Sequence, residues 1–173
     1  MERSLLGFTG AGYDKGRPLL VQVAWFAVLH LGFVKWWFPT RWRPAVLRAF
    51  GARIGRRVLI RHGVRVHWPW RLEIGDDVWI GEDAWLLNLE PITIGSDVCV
   101  SQGALLCTGS HRRASATFEF DNGPIRLEPG AWIAARAIVL RGVTVGRGAV
   151  VGAAALAHRD VDPGAVVRTG PAV

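Results

Sequence analysis

The sequence predicts an all-β chain wound as a parallel β-helix behind a helical amino-terminal cap, and three observations carry this. An aliphatic residue returns every six positions from Ile54 onward, a small or β-branched residue stands four positions after most of them, and an apolar stretch punctuated by Pro39 and Pro44 precedes the first repeat. A period of six fits neither an amphipathic helix, with about 3.6 residues per turn, nor a two-faced strand, with a period of about 2, so each repeat is read as one short element and a corner.

The repeats open at Ile54, Ile60, Val66, Ile74, Ile80, Leu86, Ile94, Val100 and Leu106, then after a gap at Leu127, Ile133, Val139, Val145, Val151 and Ala157. Val58, Val64, Val78, Ala84, Val98 and Ala104 follow four places later in the first run, and Ala131, Ala137, Val143, Ala149, Ala155 and Val161 in the second. Three repeats make one triangular coil, in which each aliphatic residue points inward and stacks on its equivalent about 4.8 Å away. Gly55, Gly75, Gly81, Gly95, Gly146 and Gly152 directly follow an opening residue, where glycine is expected to help the backbone turn.

Ile54, Ile74 and Ile94 lie twenty apart, eighteen plus two, whereas Leu127 and Val145 lie eighteen apart, so two early coils carry two-residue insertions. Between Leu106 and Leu127 the register breaks, and residues from about 112 to 126 are expected to leave the coil as a loop of the length that usually carries function. Because each coil buries only its neighbours, the ends need capping: residues 1–50 are read as the helical cap and 51–173 as the β-helix. Pro44 is placed to open a short helix running to Phe50, and Gly51 to end it.

The 173 residues suit one domain, and 21 basic against 14 acidic residues give a net charge of +7, favouring anionic partners. Only Lys15 and Lys35 are lysines, and no recognised nucleic-acid-binding motif accompanies the arginines. Cys99 and Cys107 are too few for a disulfide framework or a four-ligand zinc site, and Met1 to Arg17 shows no signal peptide. A cytoplasmic location is expected, with the inner face of the membrane as its extension. Leu19 to Phe38 is about long enough to span a bilayer, but Gln22, His30 and Lys35 interrupt it. A helix packed on the end of the coil is the first reading; a helix in peripheral contact with a membrane is the second, favoured by Trp25, Trp36, Trp37 and Trp42 among Arg41, Arg43 and Arg48.

Of the histidines, His30, His62, His67 and His158 have ordinary structural or solvent-facing readings, whereas His111 closes the last repeat before the loop in L-L-C-T-G-S-H. An imidazole there is placed to take the proton of an attacking hydroxyl.

The run S-Q-G-A-L-L-C-T-G-S-H (101–111), with P-W-R-L-E-I-G-D-D-V-W-I-G-E (69–82) and N-L-E-P-I-T-I-G-S-D-V-C-V (88–100), resembles the colanic-acid acetyltransferase family, near the galactoside and maltose acetyltransferases. The resemblance covers most of residues 44–165. It implies a left-handed parallel β-helix of hexapeptide repeats, usually a homotrimer with sites between subunits, that moves an acetyl group from acetyl-CoA to a sugar hydroxyl without a metal. It makes His111 the general base. It also points to Ala135, Ala153, His158 and Arg159 as contacts for CoA, with Arg136 and Arg168 as further cations and Trp132 as a platform for adenine. Asn88, one coil before His111, is assigned to the acceptor sugar against the alternative of a turn-forming asparagine. Glu119 and Asp121 in the loop are assigned to the acceptor or to orienting His111.

Three features depart from the family pattern. Arg112 and Arg113 replace an acidic and an aromatic residue, His158-Arg159-Asp160 replaces Thr-Lys-Asp, and Arg168-Thr169-Gly170-Pro171-Ala172 lacks the usual asparagine. The rival readings are a γ-carbonic-anhydrase-like metal hydratase, with His62 and His67 five apart, and a non-catalytic scaffold at the membrane.

Overall fold

The computed structural model describes residues 5–169. Sixteen strands of two or three residues stack into three parallel sheets, one for each side of a triangular coil. The first side takes the strands that begin at Arg53, Leu72, Ile92, Ile125 and Thr144. The second takes those at Leu59, Trp79, Cys99, Trp132, Val150 and Val166, and the third those at Arg65, Trp85, Leu105, Ile138 and Leu156. Ile54, Ile74, Ile94, Leu127 and Val145 pair in direct register down the first side. Five coils are complete, and a bridge from Val145 to Val161 begins a sixth. The stacking is that of the parallel β-helix the repeats predict, the fold to which the family resemblance gives a left hand.

The core is the column of opening residues together with the small residues four places on, from Ile60 and Val64 to Ala157 and Val161. Coils are held by hydrogen bonds from one turn to the next, such as Gly55 N–H to Ile74 O at 2.8 Å and Gly75 N–H to Ile94 O at 2.8 Å. With such small triangular layers, stacking of aliphatic side chains supplies most of the burial, at about 25 cal/mol per Å².

The corners correct one expectation. The residue with positive φ is the third after most opening aliphatics: Arg57, Asp77, Asp83, Asp97, Arg136 and Ala154 adopt φ of +53° to +60°, and glycines take positive φ at the equivalent place elsewhere. The glycine directly after the opening residue is needed for closeness instead. A Cβ on Gly81 would lie 2.5 Å from the Gln102 nitrogen, and one on Gly146 would lie 2.6 Å from the Pro163 nitrogen. Backbones of successive coils touch there, so a side chain has no room.

Helix α1 (Leu19–Val28) runs into a wide π-turn over Leu29–Phe33, and helix α2 (Arg43–Ala49) follows, with Pro44 in its first turn and Gly51 just beyond its end at φ +95°. Trp25, Leu29, Phe33 and Leu47 close the core at the first coil, and the Trp25 indole N–H donates to the carbonyls of Val66 and His67. Arg43 is buried in this cap. Its guanidinium donates to Phe33 O at 3.0 Å, Lys35 O at 2.8 Å and Thr40 Oγ1 at 3.1 Å, and burial lowers its pKa. No described helix is long and apolar enough to cross a membrane.

Residues 5–17 do not belong to the end cap. They run alongside the coils, where Lys15 O accepts from the Trp70 indole, Tyr13 Oη from the Trp68 indole, and Thr9 reaches Glu119. The ejected loop also ends earlier than expected, because Ile125 and Arg126 are already in a first-side strand.

Candidate active site

The first three coils all leave the regular path at one edge, between the third and first sides. The first two make the short insertions that contain Trp68 and Asn88, and the third makes the long loop that follows Cys107. Each excursion leaves backbone groups without strand partners, and buried side chains take them up. Asn88 is fully buried: its Oδ1 accepts from the N–H groups of His67 and Trp68, both at 3.0 Å, and its Nδ2 donates to Trp68 O at 2.6 Å. One coil on, Thr108 donates to Leu87 O at 2.8 Å and accepts from Glu90 N–H at 3.0 Å. Asn88 therefore sits in the wall as a turn-forming residue rather than in the groove assigned to it for the acceptor.

The loop folds as a small hairpin. His111 pairs antiparallel with Phe120, Arg112 N–H donates to Glu119 O at 2.8 Å, and Asp121 N–H donates to Ser110 O at 2.8 Å. This pairing lays the His111 imidazole on the Phe118 ring, 4.3 Å between centroids and 5° from parallel, with Phe120 at 5.1 Å and the edge of Phe8 at 5.6 Å. His111 Nδ1 stands 2.7 Å from Phe118 O. A carbonyl only accepts, so Nδ1 carries the proton in the neutral ring and Nε2 presents its lone pair, the tautomer a general base requires.

The loop acids have other partners. Asp121 forms an ion pair with Arg141 of the fourth coil. Glu119 Oε1 accepts from the Thr9 N–H and hydroxyl, at 3.2 and 3.1 Å, and thereby ties the amino-terminal segment over the hairpin. Its Oε2 is buried with no hydrogen-bond partner among the described residues. Neither acid orients His111; the Phe118 carbonyl does.

Beside the hairpin lies a groove of about 180 Å³ lined by Gly109, Ser110, Leu140, Arg141 and His158. A larger one, of about 500 Å³, continues at the carboxy-terminal coils along His158, Arg159, Val167 and Arg168. His158 lines both, so a path leads from the residue preceding His111 to the exposed Arg159. Ala135 and Ala153 stack at a different edge, between the second and third sides, where Ala154 N–H donates to Ala135 O at 2.9 Å. The structure thus separates the four residues assigned to CoA into two pairs across the third side. Arg136 is exposed at the Ala135 edge, and Trp132 is held on the second side by its indole N–H to Ser101 Oγ at 2.9 Å. The carboxy-terminal run from Gly170 lies outside the described residues.

Among the described residues no three of His, Cys, Asp and Glu gather as metal ligands. His62 Nδ1 lies 3.6 Å from Glu82, and His67 packs between Phe26 and Trp68, where burial lowers its pKa to about 4.

Sequence reasoning did not find Phe8, Phe118 and Phe120, which enclose His111, or Tyr13, which packs on Phe120. The alternation Phe118-Glu119-Phe120 is a strand signal, but the partners of that strand are His111 and a segment about a hundred residues away, which no local pattern reveals.

No family model matches the chain. A relative from Escherichia coli K12, named colanic acid biosynthesis acetyltransferase WcaF, is 41% identical over 175 residues, spanning 99% of this chain and 94% of that protein. Among solved structures, the hexapeptide-repeat acetyltransferase VCA0836 of Vibrio cholerae, complexed with acetyl-CoA, superposes with a TM-score of 0.82 at 23% identity, covering 98% of this chain and 96% of that one. A galactoside acetyltransferase in complex with CoA superposes at 0.80 with 18% identity, covering 92% and 84%. Identity of 41% along essentially the full length of both chains, on a fold these structures share, shows that the chain belongs to the colanic-acid type of hexapeptide-repeat acetyltransferases and is an acyltransferase.

Proposed function

We propose that this acetyltransferase moves an acetyl group from acetyl-CoA to a sugar hydroxyl in bacterial polysaccharide biosynthesis, with His111 as the general base. The observation that carries the reading is the 2.7 Å contact of His111 Nδ1 with Phe118 O, which leaves Nε2 to accept a proton, one residue after the Ser110 that lines the groove. The hydroxyl gives its proton to Nε2 as its oxygen attacks the thioester carbonyl carbon. The tetrahedral intermediate then expels the CoA thiolate, which recovers the proton from the imidazolium. The unpartnered Glu119 Oε2 is an acceptor suited to a second hydroxyl of a sugar. The path past His158 to Arg159 and Arg168 suits a pantetheine arm ending in phosphates. The names of the relatives support the same chemistry: two were solved with acetyl-CoA or CoA, and one carries the colanic acid biosynthesis name.

The same reading includes a homotrimer. Outward residues on the second side are Leu59, Trp79, Cys99, Trp132, Val150 and Val166, and on the third side Arg65 of the first coil and then Trp85, Leu105, Ile138 and Leu156. The first side presents Arg53, Glu73, Thr93, Arg126 and Thr144 instead. Two sides apolar along most of their length and one polar side suit a closed ring in which each subunit sets its second or third side against a neighbour.

The test is release of CoA thiol from acetyl-CoA with a panel of polysaccharide-precursor sugars, comparing the wild-type chain with His111→Ala. Acceptor-dependent release that falls at least about a hundredfold in the variant is expected. Activity that survives the substitution removes His111 as base.

A further inference from the structure

The amino-terminal cap uses one side of its apolar surface and leaves the other bare. Trp25, Leu29, Phe33 and Leu47 face the first coil. Leu20, Ala24, Ala27 and Leu31 succeed one another at steps of three and four along the outer side, all exposed, Leu20 to 83% and Leu31 to 74%. Trp36, 81% exposed, with Trp37 and Trp42, continues the surface past the π-turn. Single exposed apolar residues are common on soluble proteins, but a continuous stripe ending in three exposed tryptophans marks an interaction surface.

Charge identifies the partner. From Lys15 to Leu72 the sequence holds twelve Lys and Arg residues and no Asp or Glu. Arg53, Arg56, Arg57 and Arg61 are neutralised by Glu73, Asp76, Asp77 and Glu82 of the second coil, and Arg43 is buried. Arg17, Lys35 and Arg41 adjoin the apolar stripe and have no carboxylate partner among the described residues. Arg17 shares an open groove with Leu20 and Ala24, while Lys35 and Arg41 directly precede Trp36 and Trp42.

We propose that the outer side of residues 19–42 lies on the surface of an anionic lipid bilayer. Leu20 and Leu31 seat at the acyl boundary, the tryptophans at headgroup depth, and Arg17, Lys35 and Arg41 among lipid phosphates. Contact is at the surface alone, because no described helix is long and apolar enough to cross. A two-fold contact between copies through this patch would oppose cations with cations and no acid between them. The proposal is independent of the catalytic reading, since none of these residues lines the groove beside His111.

The full chain is sedimented with vesicles of phosphatidylcholine containing about a third phosphatidylglycerol, and with vesicles of phosphatidylcholine alone. Wild type is compared with a Leu20→Ser, Trp36→Ser pair and with a Lys35→Glu, Arg41→Glu pair, and all are checked for native circular dichroism and acetyl-transfer rate. Binding to the anionic vesicles that weakens at least about tenfold in each folded pair, and also with added salt, is the expected result. Absence of binding by wild type, or binding that both folded pairs retain, overturns the proposal. So does a changed mass of either pair by size exclusion with light scattering, which would make the face a contact between copies.

Discussion

The imidazole of His111 and the ring of Phe118 lie 4.3 Å apart and 5° from parallel, seven residues apart in sequence, while the Phe118 carbonyl accepts a hydrogen bond from His111 Nδ1–H. One residue thus fixes both the plane and the tautomer of the imidazole. Phe118→Ala keeps the carbonyl but removes the stack, so the ring gains freedom about its own torsion. We expect kcat to fall about tenfold with little change in KM for acetyl-CoA, against a loss of at least about a hundredfold for His111→Ala. Steady-state kinetics of both variants check this, and Phe118→Tyr, which restores the stack, should recover most of the rate.

Asn88→Ala leaves the buried Trp68 N–H without an acceptor among the described residues, while the His67 N–H keeps Leu86 O and the Trp68 carbonyl keeps the Arg71 N–H. An unpaired buried N–H costs about 1–3 kcal/mol, so the variant should lose about that much by urea denaturation. An Asn88 that served the acceptor alone would instead raise the acceptor KM and leave stability untouched.

The coil was legible because its constraint is local and repeated: every inward column, from Ile54–Ile74–Ile94 onward, follows from one residue in six. His111 was legible because it stands where that repeat stops. The enclosure around it was not, since Phe8 and Tyr13 reach Phe120 through a segment that local patterns attach to the cap. Asn88 was misplaced because a polar residue beside a predicted groove reads as a ligand contact, whereas the inserted corner needed a buried amide to satisfy its backbone. The corner glycines were found for the wrong reason. Their positions are set by the approach of the next coil, which a single repeat does not contain.

That distinction is measurable. Gly81→Ala places a methyl 2.5 Å from the Gln102 nitrogen and should destabilise the chain by about 2 kcal/mol or more. Ala154→Gly, at φ +56°, relieves the cost of a Cβ in the left-handed region and should be neutral or stabilising by up to about 1 kcal/mol. Thermal denaturation should therefore show a lowered midpoint for Gly81→Ala and an unchanged or raised one for Ala154→Gly, although in both the swap is between glycine and alanine.

His67 gives the fold a dependence on acid. Burial against Phe26 and Trp68, with Lys15 adding to the effect, lowers its pKa from 6.5 to about 4, so the folded chain favours the neutral ring. The unfolded chain takes up a proton below pH 6.5 that the folded chain takes up only near pH 4; the stability owed to the neutral ring is complete above 6.5, declines between those values and levels off below. Because the ring is partly exposed, solvent screening reduces the effect to on the order of 1–2 kcal/mol across that window. His67→Phe keeps an aromatic ring in place and removes the titration. Glu73, Asp76, Asp77 and Glu82, held below their ordinary range by hydrogen bonds from arginines, also lose stabilising contacts in acid, but they do so equally in both chains. Urea denaturation at stepped pH should therefore show a wild-type-minus-variant difference that grows as pH falls from 6.5 to about 4. A constant difference would mean that the His67 ring protonates as readily in the folded chain as in the unfolded one.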